Sequence, residues 1–267
     1  MEHTQGLYIT VEGSSKGITI KSPQEMRTMR EAGRVVAAVR EAVAKAVQPG
    51  MKTKELDTIA ARETRRLGAK PSFKGYRGYP ATICVSINNE IVHGIPGDRI
   101  IQDGDVVSLD FGAIVGGFHG DTALTVAAGV VPQEVDRLIE TTRLSLELGI
   151  KQAVAGNRVG DISYAVQQFA EAQGYGVVRE YVGHGIGRAL HEDPAVPNVG
   201  ERGKGPLLRV GMVIAIEPMV NMGTWQTEVL DDGWTVVTAD GSLSAHFEHT
   251  VAITENGPWV LTALEGE

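Results

Sequence analysis

The chain has 267 residues, 42% of them hydrophobic, and a formal net charge of −8 at pH 7, which allows a substantial core and argues against nucleic-acid or anionic-membrane partners, since those need a basic surface. Cys84 is the only cysteine, so a disulfide framework and a cysteine-rich zinc module are excluded and a reducing cytosol fits. The opening MEHTQGLYITVEGSS has no basic region leading into a long apolar core, and no run of about 18 apolar residues occurs anywhere, so a soluble cytoplasmic protein is expected, with a short leader over 1–19 and one domain over 20–267.

In chain order, Ser22 reads as the N-cap of a first helix, with Pro23 at its first position and Glu25 closing a capping box; Pro49-Gly50 stops it. Met26, Met29, Val36, Val39, Val43 and Val47 give that helix an apolar stripe of the kind that faces a core. A second helix is expected from Thr53 to Leu67, ending near Gly68. Strands follow, including VVSLDFGAIVGGFHGDTALTV (Val106 to Val126), where Gly116-Gly117 reads as a two-residue hairpin turn. Val115 then faces Phe118, which puts Asp110 opposite Ala123 and Asp121 opposite Gly112. The two aspartates fall on one face as diagonal neighbours. Carboxylates that close share a proton or a cation. The flanking Val106, Val107, Leu109, Phe111, Leu124 and Val126 make this a buried hairpin. Pro132 starts a long helix to about Val154, Asp161 is expected to cap another to about Gln173, and more strands finish the chain.

The order helix, helix, strands occurs twice. IIQDGDVVSLD (Ile100 to Asp110) aligns with LLRVGMVIAIE (Leu207 to Glu217) at an offset of 107 residues, carrying Asp110 onto Glu217. Upstream, PGMKTKELDTIA matches AGNRVGDISYAV more weakly and at a slightly different offset. Such a repeat predicts two similar halves that bring acidic residues from both into one cleft.

Glu217 lies in the apolar run GMVIAIEPMV and Glu248 in LSAHFEHTVAITENG, each read as one strand; a buried carboxylate there needs a partner. His184 and His191 occur in YVGHGIGRALHEDP and His93 in NNEIVHGIPGD, all in glycine-turn loops, whereas His3, His119, His246 and His249 read as structural or surface histidines. Asp110, Asp121, Glu217, Glu248 and His184 would form an oxygen-rich set with one imidazole. That set suits a pair of divalent ions such as Mn, Fe, Co or Zn better than one tetrahedral structural zinc.

The blocks YPATICVSINNEIVHGIP, DGDVVSLDFGAIVGGFHGDTA, GHGIGRALHEDP, GMVIAIEPM and SLSAHFEHTVAIT, occurring in this order, resemble the signature blocks of type I methionine aminopeptidases from about Ile20 to Leu261. The resemblance implies an α+β pita-bread fold, two pseudo-twofold-related halves with a curved antiparallel sheet covered by helices. It implies a metallo-exopeptidase that removes N-terminal methionine from nascent chains and peptides whose second residue is small, by a metal-bridging hydroxide. Two divalent ions would be held by Asp110, Asp121, His184, Glu217 and Glu248, with Asp121 and Glu248 bridging and His184 on one ion. Glu217, His93 and His191 would be catalytic: Glu217 assisting proton movement, His191 stabilising the oxyanion and His93 contacting the scissile amide nitrogen. Phe73, Tyr76, Tyr79, Cys84, Leu190 and Trp234, with the two catalytic histidines, would form the methionine pocket.

Phe73, Val92, Leu190 and His246 depart from residues frequent at those positions in the family and bear on the pocket and its support. A monomer is expected, and association with the ribosome is compatible with the implied substrate. Two other classes fit parts of the pattern: a proline-specific peptidase of the same fold, against which the short segment before the first helix argues, and an inactive peptide-binding relative, which would be expected to lack metal ligands. None is lacking here.

Overall fold

A computed structural model of the chain describes residues 17–264; most of the expected leader, and His3 within it, lies outside the described residues. Helix α1 (Pro23–Ala46) begins as its sequence dictates: the Ser22 hydroxyl accepts from the Glu25 N–H while the Glu25 carboxylate accepts from the Ser22 N–H. Helices α2 (Thr53–Arg66), α3 (Gln133–Gln152) and α4 (Val159–Ala172) follow the expected spans.

The main sheet is nine-stranded and antiparallel. Its centre is the hairpin Asp105–Val115 and Phe118–Ala128, then Glu248–Thr254, then Val213–Ile216 and Gly183–Gly185. The hairpin register is the one read from the sequence, with Val115 opposite Phe118, Asp110 opposite Ala123 and Asp121 opposite Gly112. Side-chain alternation then sorts the faces. Val107, Leu109, Phe111 and Ala113 pack with Val36, Val39 and Val43 of α1 and Leu56 and Ala60 of α2, while Ile214, Ile216, Val251 and Ile253 pack with residues of α3 and α4. Helices therefore take one face, and Asp110, Asp121, Glu217 and Glu248 are left on the other.

The internal repeat is real at the level of hydrogen bonds. Lys52 bridges Ile100 in the first half and Arg158 bridges Leu207 in the second. Around them the bonds Gly50 N–H to Ile101 O, Thr53 N–H to Arg99 O and Lys54 N–H to Gly97 O recur as Gly156 to Leu208, Val159 to Pro206 and Gly160 to Lys204. The upstream partners are offset by 106 residues and the downstream ones by 107, so a single inserted residue between them accounts for the shift seen in the sequence. Gly104 and Gly211 occupy equivalent turns at φ 90° and 89°, a left-handed conformation that selects glycine.

Three expectations change. Asp161 is not the cap of α4: the helix starts at Val159, and the Asp161 carboxylate reaches back from the first turn to the Arg158 N–H at 2.8 Å, as Glu55 does to Lys52 at 2.7 Å. The run GMVIAIEPMV is two strands, Val213–Ile216 and Met219–Asn221, because Pro218 has no N–H to continue a ladder. LSAHFEHTVAITENG is likewise broken at Phe247, whose N–H bonds the Pro218 carbonyl, so Ser244–His246 joins a small sheet with Met219–Asn221 while Glu248–Thr254 stays in the main one. Glu217 and Glu248 both sit where the chain changes sheets. Among the described residues, no helix is long and apolar enough to cross a membrane.

Candidate metallopeptidase site

One pocket is lined by Phe73, Tyr76, Tyr79, Cys84, His93, Asp110, Asp121, His184, Leu190, His191, Glu217, Trp234 and Glu248. These are the five expected metal ligands and the eight expected pocket residues, brought together without an outlier.

The sheet builds the acidic end. Ala123 stands between two partners, Asp110 on its hairpin neighbour and Glu248 on the other central strand, and Asp121 lies two residues along on the same face. A methyl group between three carboxyl-bearing positions leaves space above the sheet. His184 enters from Gly183–Gly185, where the backbone runs too close to its neighbours for side chains. A Cβ on Gly183 would lie 2.4 Å from the Ala215 carbonyl oxygen and one on Gly185 2.1 Å from that of Asp193. The Nδ1–H of His184 donates to the Gly185 carbonyl at 2.8 Å, so the neutral ring turns a bare Nε2 toward Glu217 Oε1 at 3.5 Å and Asp121 Oδ2 at 4.0 Å. One ligand atom from each of Asp121, His184 and Glu248 falls within 4.8 Å of the others.

Burial and mutual repulsion disfavour the charged forms of these carboxyls. Burial pushes the Asp110 carboxyl up to about 7. Asp121, Glu217 and Glu248 are held well above the usual range, first by burial and then by one another's charge and that of Asp110. Burial also pushes His184 down to about 4, leaving it neutral and able to ligate. Asp110 Oδ1 and Glu248 Oε1 are buried with no hydrogen-bond partner, a costly state for a carboxylate. A set of four carboxyls and one imidazole, with orphaned oxygens and no Lys or Arg lining the pocket, fits divalent metal.

The other end is apolar. Phe73, Tyr79, Cys84 and Leu190 pack in one cluster with Tyr76 and Trp234 at its edge. Tyr79 meets Trp234 edge-on at 5.1 Å between ring centres, and its hydroxyl donates to the Gly94 carbonyl at 2.9 Å, which ties the wall to the turn carrying His93. His93 has φ 63°, a left-handed conformation rarely taken by a side-chain-bearing residue and often found at functional sites. His191 stands between the two ends, its ring 4.3 Å from that of His184 and its Nδ1 2.8 Å from the Tyr76 hydroxyl. The next residue, Glu192, is fixed by Lys21 Nζ at 2.7 Å and by the Thr19 hydroxyl at 2.6 Å.

Of the histidines read as structural, His119 bonds Ser72 and His249 bonds Thr262 through their Nδ1 atoms. His246 is fully buried and neither ring nitrogen has a hydrogen-bond partner. Val92 packs with Ile91, Val178, Met219 and Val236 behind the pocket. Sequence reasoning missed two features: the role of Ala123 as the clearing between carboxyls, which the hairpin register already implied, and the Tyr76–His191 bond, for which no sequence signal exists.

Known proteins resemble the chain over nearly its whole length. The profile of metallopeptidase family M24 matches residues 27–255. Methionine aminopeptidase 1 of Bacillus subtilis is 52% identical over 247 residues, spanning 92% of this chain and all of that protein. Methionine aminopeptidase of Clostridium perfringens is 51% identical over 93% of this chain and all of its own. The crystal structure of methionine aminopeptidase from Thermotoga maritima superposes with a TM-score of 0.91 at 46% identity, covering 93% of this chain and all of that one. Prolidase from Pyrococcus furiosus, at 23% identity and a TM-score of 0.75 over 92% of this chain and 65% of its own, shares the fold. The chain thus has the pita-bread architecture of these enzymes and belongs to metallopeptidase family M24, among its methionine aminopeptidases.

Proposed function

We propose that the chain removes N-terminal methionine from proteins and peptides whose second residue is small, acting as a monomer on emerging chains in the cytoplasm, with residues 20–267 as the catalytic unit. The observation that carries this reading is the single pocket with carboxyls and His184 at one end, an aromatic and thiol-lined wall at the other, and two further histidines between. Asp110, Asp121, His184, Glu217 and Glu248 would hold two divalent ions, Mn, Fe, Co or Zn: four carboxylates carry more negative charge than one dication offsets. The chemistry supplied by bound metal is Lewis acidity, in the form of acidified water and a polarised carbonyl.

The chain's own residues do the rest. The apolar wall takes the unbranched thioether, a burial that contributes roughly 1.5–3 kcal/mol. Glu217, half-buried beside Nε2 of His184, accepts and passes on a proton. His93 contacts the scissile amide nitrogen and His191 the carbonyl oxygen. Cys84 is not a nucleophile in this scheme. It is buried opposite Asp110 in the ladder, and burial, then the Asp110 charge, pushes its thiol well above the usual range. Cys84→Ser should keep most of its turnover number; complete inactivation with metal still bound would revive a thiol mechanism.

A matched peptide panel tests the assignment. Met-Ala, Met-Gly and Met-Ser peptides should be cut and Met-Lys and Met-Phe should not, because the second residue lies between the metal ligands and the histidines. At the first position norleucine, unbranched and differing from methionine by a methylene in place of sulfur, should be accepted, and leucine, shorter and branched, should be taken poorly, a discrimination of about 1–3 kcal/mol. Equal rates for Met-Phe and Met-Ala, or preference for Ala-Pro over Met-Ala, would overturn the reading in favour of a proline-specific enzyme.

A further inference from the structure

The two halves of the site meet along the central strands Phe118–Ala128 and Glu248–Thr254, and their ladder is only two pairs long, Ala123 with Glu248 and Thr122 with His249. Beyond it the strands fork. From Val251 onward the edge of the second strand is taken by Gly257–Val260. At each end of the short ladder a threonine hydroxyl stands where backbone would have bonded backbone. Thr250 Oγ1 accepts from the Asp121 N–H at 3.0 Å and donates to the Asp121 carbonyl at 2.8 Å. Thr125 Oγ1 accepts from the His246 N–H at 2.8 Å and donates to the His246 carbonyl at 2.9 Å. Both residues are buried, and strand alternation puts Thr125 on the same face as Asp121 and Thr250 on the same face as Glu248.

We infer that Thr125 and Thr250 are positioning residues: their hydroxyls act as spacers that fix the separation of the two central strands, and with it the relation of Asp121 in one half to Glu248 in the other. The physical argument is one of reach. A hydroxyl that both accepts and donates satisfies the N–H and the C=O of the facing residue while holding the chains farther apart than a direct ladder would. Asp121 is thereby held by its own backbone on a strand that has already left the ladder. The opposite end is fixed in the same way at His246, two residues before Glu248. The inference rests on the metal-site reading above.

Thr250→Val keeps the shape and removes the hydroxyl, whereas Thr250→Ser keeps the hydroxyl. Calorimetric titration of metal-free protein with Mn should show affinity reduced by about tenfold or more in Thr250→Val, the scale on which residues supporting metal ligands act, and near wild-type affinity in Thr250→Ser. The Michaelis constant for a Met-Ala peptide at saturating metal should stay close to wild type, because the apolar wall is untouched. Affinity within twofold of wild type in Thr250→Val, or a serine variant as weak as the valine one, would overturn the inference. Should Thr250→Val fail to fold, Thr125→Val against Thr125→Ser carries the same comparison with the same criteria. Wild-type protein that binds no Mn would instead sink the metal-site reading itself.

Discussion

Replacing Glu248 by alanine is expected to abolish metal binding and peptide hydrolysis together. Glu248 is buried, one of its oxygens lacks any hydrogen-bond partner, and its carboxyl lies with those of Asp121 and the Nε2 of His184 in the tightest group of donors in the pocket. Asp121→Ala should behave alike. In the wild type, chelation should remove activity and Mn or Co should restore it; in either variant the same addition should restore nothing. Full activity in metal-stripped protein would sink the assignment, as would an alanine variant that kept its metal.

The same carboxyls give this loss a pH signature. A carboxyl whose folded-state pKa is raised stabilises the fold while it stays protonated, and that stabilisation is lost as the pH rises through its folded value. For Asp110 the loss runs from the ordinary 3.8 to about 7, and the still higher positions of Asp121, Glu217 and Glu248 extend it upward. Metal-free protein should therefore melt at lower temperature as the pH is raised across this window, and Mn should reverse the drop because cations replace the displaced protons. A melting temperature that does not respond to pH in the metal-free state would mean that these groups are not buried against one another.

The parts of this site that were legible in the sequence are those fixed by local rules. Gly116-Gly117 sets the hairpin, and counting outward from it places Asp110 and Asp121 on one face with no further information. The repeat of Ile100–Asp110 in Leu207–Glu217 foretold an acidic residue from each half, and the paired bonds to Lys52 and Arg158 bear it out. The breaks at Glu217-Pro218 and Phe247 were half legible: Pro218 announces the first, but nothing near Phe247 announces the second, which depends on a carbonyl 29 residues away in sequence. Asp161 was misread because an acid in a first helical turn and an acid at the cap look alike until the N–H partners are known. The contact of Thr250 with Asp121 spans 129 residues, and strand pairing at that range leaves no pattern in the local sequence.

His191→Ala should lower turnover by on the order of 10²-fold or more, the usual scale for removing one oxyanion donor, while metal content stays that of the wild type. The imidazole is suited to donate rather than to ligate. Burial, reinforced by the neighbouring His184, pushes its pKa far below the usual range, so it is neutral at pH 7. The Tyr76 hydroxyl at 2.8 Å can donate to Nδ1, and a neutral ring that accepts there carries its proton on Nε2, where it is available to a carbonyl oxygen gaining charge. Tyr76→Phe separates these steps: the ring remains packed at 5.4 Å from that of residue 76, but nothing selects the tautomer, so turnover should fall by less than in His191→Ala with the Michaelis constant little changed. Loss of metal from His191→Ala would show that the imidazole belongs among the ligands, and a Tyr76→Phe variant as slow as His191→Ala would show that the phenol itself, and not the ring it holds, meets the substrate.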